Sequence, residues 1–315
     1  GIKDNEVKQI YQSEDNNLWL ALNSGISKVN YGSVFSFYDN ISGIYGKVQD
    51  IEKYNNKLYV GTSSGLYYQN LKTDEKLYRQ FIQIEDFSED VKEIVKVGNK
   101  LFLGTKNGLY MYDGVSKPKL INDKQATALY YSESQKMLFY AGMTGVGIYK
   151  NGQYDKAFFH DDGLFIMKEV LTIVEDPLKK ENEISLWIGT LGDGAIYLTI
   201  TDDMIFNYEY YVGSEAGLES TWIYSFECKN KVLFGVMNGL MNFLSKEEVF
   251  ESLPDSLKNS DMKITGSFDY SELLKVDSVA VTALSCSNDK IWLALDEKPA
   301  CISKDNKLIT KPFLS

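Results

Sequence analysis

A single histidine, His160, stands in a chain of 315 residues, so any Ser/His/Asp or Cys/His nucleophile arrangement would have to be built on it. Its neighbours Asp161 and Asp162 complete a His-Asp-Asp-Gly run that reads as a solvated turn. Cysteine is equally scarce. Cys228, Cys286 and Cys301 are well separated and form no Cys-x-x-Cys pair, which argues against a zinc or redox motif and leaves them as small buried apolar side chains in strands. No apolar run of about 18 residues occurs, so no segment is expected to insert directly into a membrane. No signal-peptide pattern is present. Positive charge is in deficit: 33 Lys and Arg against 44 Asp and Glu leave a formal net charge of -11, unfit for wrapping nucleic-acid phosphate or an anionic bilayer. A neutral or weakly cationic partner is easier to accommodate.

What the chain does have is aromatic residues, 22 Tyr and 16 Phe, and these favour strands. Three peptides stand out as near copies: LYVGTSSGLYY, LFLGTKNGLYMYD and LWIGTLGDGAIYL. Aligning the apolar tripeptide before a small residue extends the set to seven starts, at Leu18, Leu58, Leu101, Leu138, Leu186, Val232 and Ile291. Each copy has an alternating strand upstream, as in Val48–Gln49–Asp50–Ile51 or Val91–Lys92–Glu93–Ile94, then a polar turn, then a strand apolar on both faces. The fourth position of that second strand is always small: Ala21, Gly61, Gly104, Ala141, Gly189, Gly235 and Ala294. Such a level implies close approach of another backbone or an aromatic ring. A turn glycine follows in most copies, shifted to Gly194 in the fifth and replaced by Lys298–Pro299 in the seventh.

Strand-rich units recurring at roughly 40 to 50 residues are propeller blades, because one small sheet cannot bury both faces unless neighbours stack around a ring. The sequence therefore predicts an all-β chain over 1–315, a single seven-bladed β-propeller of four-stranded blades. The blades are each contiguous in sequence, and the ring closes by side-chain packing of blade one against blade seven. The 59-residue interval before the last copy holds Ser245–Lys258, of helical character, and a strand-like Met262–Phe268. Residues 245–268 read as a short helical rim insertion before the last blade.

The repeat resembles the regulator-propeller family, whose consensus runs Val-x-x-Ile, a turn, Leu-Trp-Ile-Gly-Thr-x-x-Gly-Leu and an aromatic. Blade-joining segments of its type, Tyr-x-x-x-x-Gly-Leu, are matched by Tyr38 to Ile44, Phe159 to Leu164 and Tyr211 to Leu218. The resemblance covers nearly the whole chain, with copies one and seven degenerate. It implies the extracytoplasmic sensor part of a hybrid two-component system, periplasmic or extracellular, that detects glycan breakdown products. It also implies a second propeller or a homodimer partner.

Chemistry is thinly represented. Asp161, Asp162 and Gly192–Asp193–Gly194 offer oxygen atoms for calcium but without EF-hand spacing, and no metal or cofactor is expected. Acidic pairs are too many to single one out for glycoside hydrolysis. A binding reading fares better, since blade-joining loops and the turns after second strands gather around one mouth of the central channel. Those loops place Tyr45, Lys106, Phe165, Lys168, Asp193, Glu219 and Trp222 there, aromatic faces beside polar groups, as an oligosaccharide requires. Trp222 is the leading candidate, and its packing in the core of blade six is the competing reading. The function read from the sequence is a non-catalytic, ligand-sensing propeller for a carbohydrate. A protein-interaction scaffold and a carbohydrate-active enzyme are the alternatives.

Overall fold

The computed structural model describes residues 6–13, 17–29, 36–71, 80–150, 153–159, 168–178, 182–203, 205–218, 222–258, 264–275, 279–287, 290–295, 298–302 and 308–309. They form seven antiparallel four-stranded sheets, each built from four consecutive strands. The innermost strands are Val7–Gln12, Val48–Tyr54, Val91–Val97, Ala128–Ser132, Val170–Glu175, Tyr224–Cys228 and Val281–Cys286. Successive inner strands neighbour one another around the ring, and the first packs on the last. Seven-bladed architecture and contiguous blades are as the repeat predicts.

The core is divided among the blade interfaces. Seven separate clusters of buried apolar residues occur among the described residues, one per pair of neighbouring blades. That distribution follows from second strands apolar on both faces: Leu18–Trp19–Leu20 and Ile291–Trp292–Leu293 are all buried, each residue serving one neighbour or the other. Closure uses the cluster of Val7, Ile10, Leu18, Leu20 and Leu22 against Ala283, Trp292, Ala294 and Cys301. A hydrogen bond from Thr282 Oγ1 to the Val7 carbonyl, 3.2 Å, reinforces it.

The small residue of the second strand has a defined cause. A Cβ on Gly189 would lie 2.2 Å from the Ile223 carbonyl oxygen, and one on Gly235 would lie 2.2 Å from the Val281 carbonyl oxygen. The close approach is therefore backbone: a residue at the start of the next inner strand or just before it, Val281 or Ile223, points its carbonyl at this level. The joining segments use a different device. Asp39 accepts the Ile41 N–H to cap a short 3₁₀ turn at Asn40–Ser42, and Gly43, at φ 88°, reverses the chain so that Ile44 plugs the core between blades one and two. Gly217 and Leu218 repeat this between blades five and six.

The helical segment lies inside blade six. Helix α1 (Lys246–Ser252) opens with a capping box between Ser245 and Glu248, helix α2 (Asp255–Lys258) follows, and both fall between the third strand, Gly239–Leu244, and the fourth, Ser267–Lys275. The strand thus starts later than the Met262–Phe268 reading, and Met262 lies outside the described residues.

The cysteines require a correction. Cys228 and Cys286 are not free apolar side chains but a disulfide, with Cα atoms 5.6 Å apart, that ties together the ends of the inner strands of blades six and seven. Cys301 alone is free and buried. A separation of 58 residues gives no hint of the pairing until the repeat brings the two strand ends side by side.

Candidate functional site: the channel and its mouth

The inner strands carry a regular irregularity. In five blades the ladder to the second strand slips by one residue at the second position of the Val-x-x-Ile motif, as between Val48 and Asp50 or Val170 and Thr172. Such a bulge frees one residue from the ladder and re-aims its side chain. The second-position residues of six blades, Lys8, Gln49, Lys92, Thr127, Leu171 and Thr282, line one central cavity of about 1080 Å³, joined in blade six by Tyr224, which pairs with Gly235 in an unbroken ladder.

Position also decides how the inner edges are satisfied. Neighbouring inner strands are not in one sheet, so their edge N–H and C=O groups need other partners. Side chains of one blade supply them to the next. At the second position, Gln49 Nε2 donates to the Val91 carbonyl (3.0 Å), Thr127 Oγ1 to that of Val170 (3.0 Å) and Thr282 Oγ1 to that of Val7. At the third, Asp50 Oδ2 accepts the Ile94 N–H (2.5 Å), Glu93 accepts that of Leu129, and Thr172 Oγ1 accepts that of Ser225 (2.7 Å).

Burial sets the charge of these groups. It is the largest cause holding Asp50 well above the usual carboxylate range, with the Glu93 carboxyl adding to it and the Ile94 amide opposing. Burial likewise pushes Glu93 up to about 8, against the Leu129 hydrogen bond, and Glu52 up to about 7.

The mouth lies where the inner strands begin. Trp222, about half exposed, lines it and forms an isolated bridge with Leu191. Tyr224 stands two residues further along the same wall, its hydroxyl pushed up by burial and then by Glu169. On the other side Lys92 Nζ donates to Gln49 Oε1 (2.7 Å) and lies 3.4 Å from Asp90 and 3.6 Å from Glu169. Gln49 Nε2 in turn donates to Asp90. The far end is spanned by Tyr130, whose hydroxyl donates to Glu227 Oε2 at 3.0 Å, from blade four to blade six.

The sequence-predicted residues distribute unevenly around this site. Trp222 is on the lining, and its half exposure sets aside the core-packing alternative. Lys168 and Asp193 meet on the rim, where the Lys168 N–H donates to Asp193 Oδ2 (2.9 Å); Glu169, next to Lys168, and Leu191, two residues before Asp193, reach the lining. Lys106 stands outside the lining with Nζ 3.9 Å from Asp90. Tyr45 is exposed, two residues before Lys47, which does line the channel. Phe165 and Glu219, like His160, Asp161 and Asp162, lie outside the described residues. Sequence reasoning missed Gln49, Lys92 and Tyr224, although the second position that Gln49 and Lys92 share in the repeat was a usable signal. Among the described residues, no group of three His, Cys, Asp or Glu side chains is placed to hold a metal ion.

No protein-family model and no curated protein matches the chain. Solved structures do. The extracellular domain of the hybrid two-component system BT4673 from B. thetaiotaomicron superposes with a TM-score of 0.63 at 18% identity, over 96% of this chain and 38% of that one. PorZ, a surface component of the type-IX secretion system of Porphyromonas gingivalis, matches with a TM-score of 0.61 at 12% identity, over 99% and 39%. An ancestral GH74 enzyme matches with a TM-score of 0.65 at 14% identity, over 97% and 46%. The chain thus spans less than half the length of each of these neighbours. Likeness at such identities is a likeness of fold, and it is the fold the repeat predicts: the chain is a seven-bladed β-propeller.

Proposed function

We propose that the chain is a non-catalytic, ligand-sensing propeller that recognises a carbohydrate at the mouth of its central channel. The observation that carries this reading is the mouth itself. Trp222 and Tyr224 offer ring faces on one wall, while Gln49, Lys92 and Glu169 offer an amide, an ammonium and a carboxylate on another. Apolar sugar faces stack on the first, and hydroxyls exchange hydrogen bonds with the second. Likeness to the two-component extracellular domain supports a sensing role. The Cys228–Cys286 disulfide supports a place outside the reducing cytoplasm.

Signalling then follows from differential affinity. A ligand bridging several blades at the mouth stabilises one arrangement of this propeller and its neighbours in the assembly, and shifts the equilibrium only as far as it prefers that arrangement. A thermal-shift panel of oligosaccharides tests the binding claim: a true ligand at 100 times its Kd adds about 2.7 kcal/mol of stability, and a panel without any response contradicts the reading.

A carbohydrate-active enzyme is the second reading, favoured by one observation: Glu93 lines the channel and keeps its proton up to about pH 8, as a general acid must. Glycan turnover abolished by Glu93→Gln would replace sensing with catalysis.

A further inference from the structure

On the face opposite the mouth, a separate cavity of about 300 Å³ lies in the seam between blades one and two. Blade one contributes Trp19 and Lys28, and blade two contributes Lys53, Asn56, Gln69 and Asn70. Its floor is fixed. Trp19 is buried, with Lys28 Nζ held over its ring 5.2 Å from the centroid. Asn55 and Asn56 form the hairpin turn below Lys53, both at positive φ, and the Asn56 carbonyl accepts the Leu71 N–H at 2.8 Å. Asn is among the few residues that adopt this conformation readily, which fixes where the Asn56 amide projects.

The chemistry of this lining is opposite to that of the molecule. Acidic residues outnumber basic ones by 44 to 33 over the chain, yet among the described residues no carboxylate lines the seam, while two lysines and three primary amides do. We infer that the seam is a second binding site, for a small hydroxylated carboxylate of the size of one acidic sugar. Lys28 and Lys53 face its carboxylate from the two blades, and the amides of Asn56, Gln69 and Asn70 exchange hydrogen bonds with its hydroxyls. The cavity stands at the lower limit of small-molecule sites, which suits one ring and excludes an oligosaccharide. This site is independent of the channel mouth, since no residue lines both.

The test is titration with glucuronate, followed by calorimetry and thermal shift, against glucose and against sodium acetate at matched ionic strength. The expected result is saturable binding of glucuronate that exceeds both controls, is weakened about tenfold or more by Lys53→Gln, and is unchanged by Trp222→Ala. Should Lys53→Gln fail to fold, Asn70→Asp, at an exposed strand end, places a repelling charge in the same seam and is expected to abolish binding. No binding of glucuronate overturns the inference. So does an equal response to glucose or acetate. Loss of glucuronate binding in Trp222→Ala with retention in Lys53→Gln also overturns it, by moving the anion to the channel mouth.

Discussion

Thr282 and Val7 lie 275 residues apart and meet where the ring closes, the Thr282 hydroxyl donating to the Val7 carbonyl at 3.2 Å. The same second-position handover joins Gln49 to Val91 and Thr127 to Val170 within the chain. The bond that closes the ring is thus an ordinary member of the repeat, although among the described residues no strand is exchanged between the first blade and the last. Thr282→Val keeps the shape and removes the donor, leaving a carbonyl short of a partner. A loss of about 1 kcal/mol is expected in urea unfolding, with faster amide exchange confined first to blades one and seven.

The disulfide acts one interface away, between blades six and seven. It restricts the unfolded chain over 58 residues. The double variant Cys228→Ala/Cys286→Ala is expected to lose about 2–4 kcal/mol in chemical denaturation. Adding a reductant to the unmodified protein should lower its Tm in the same direction, and leave the variant's Tm unchanged.

Gly235 tests the packing of blade against blade. Its Cβ, were there one, would lie 2.2 Å from the Val281 carbonyl oxygen. Because the obstacle is backbone, Gly235→Ala must part blades six and seven, at a cost of at least about 1–3 kcal/mol in equilibrium unfolding. In the first blade the equivalent position already holds Ala21, fully buried, so the limit is local to each interface.

Stability should also depend on pH through the channel wall. Glu93 titrates at about 8 in the fold, against 4.5 as an ordinary glutamate, so folding favours its protonated form. Its contribution is fully present below about pH 4.5 and is lost as pH rises through about 8. Asp50 acts in the same direction. Glu93→Gln keeps an acceptor for the Leu129 N–H without the charge, so its Tm should exceed that of the parent above about pH 8 and the slope between pH 5 and 9 should flatten. A steeper slope in the variant would contradict the assignment.

The parts of this architecture that were legible in the sequence are those that repeat. Gly104, Gly189 and Gly235 mark a level where an added Cβ strikes the next blade's backbone, the other copies keep a small residue there, and seven copies give the ring. Loops do not repeat, so Tyr45, Lys106, Lys168 and Asp193 could be placed near the mouth but not sorted into lining and rim. Gln49 and Lys92 were hidden for a different reason. A residue in a strand ordinarily faces one side of its sheet, and only the bulge at the second position turns these side chains into the channel. Tyr224 stands in an unbroken ladder opposite Gly235, and only the ring shows that it lines the channel. The Cys228–Cys286 pair was hidden because pairing needs the distance between two blades, which spacing along the chain does not encode.

Fluorescence quenching at Trp222 tests the central claim most directly. Trp19, Trp187 and Trp292 are buried and Trp222 is about half exposed, so iodide reaches one tryptophan in preference to the others. An oligosaccharide that raises the Tm is expected to shield that iodide-accessible component, and Trp222→Phe is expected to remove the component and weaken binding while the protein stays folded. An oligosaccharide that stabilises the protein while Trp222 remains fully quenchable, or binds Trp222→Phe with unchanged affinity, would contradict recognition at the channel mouth.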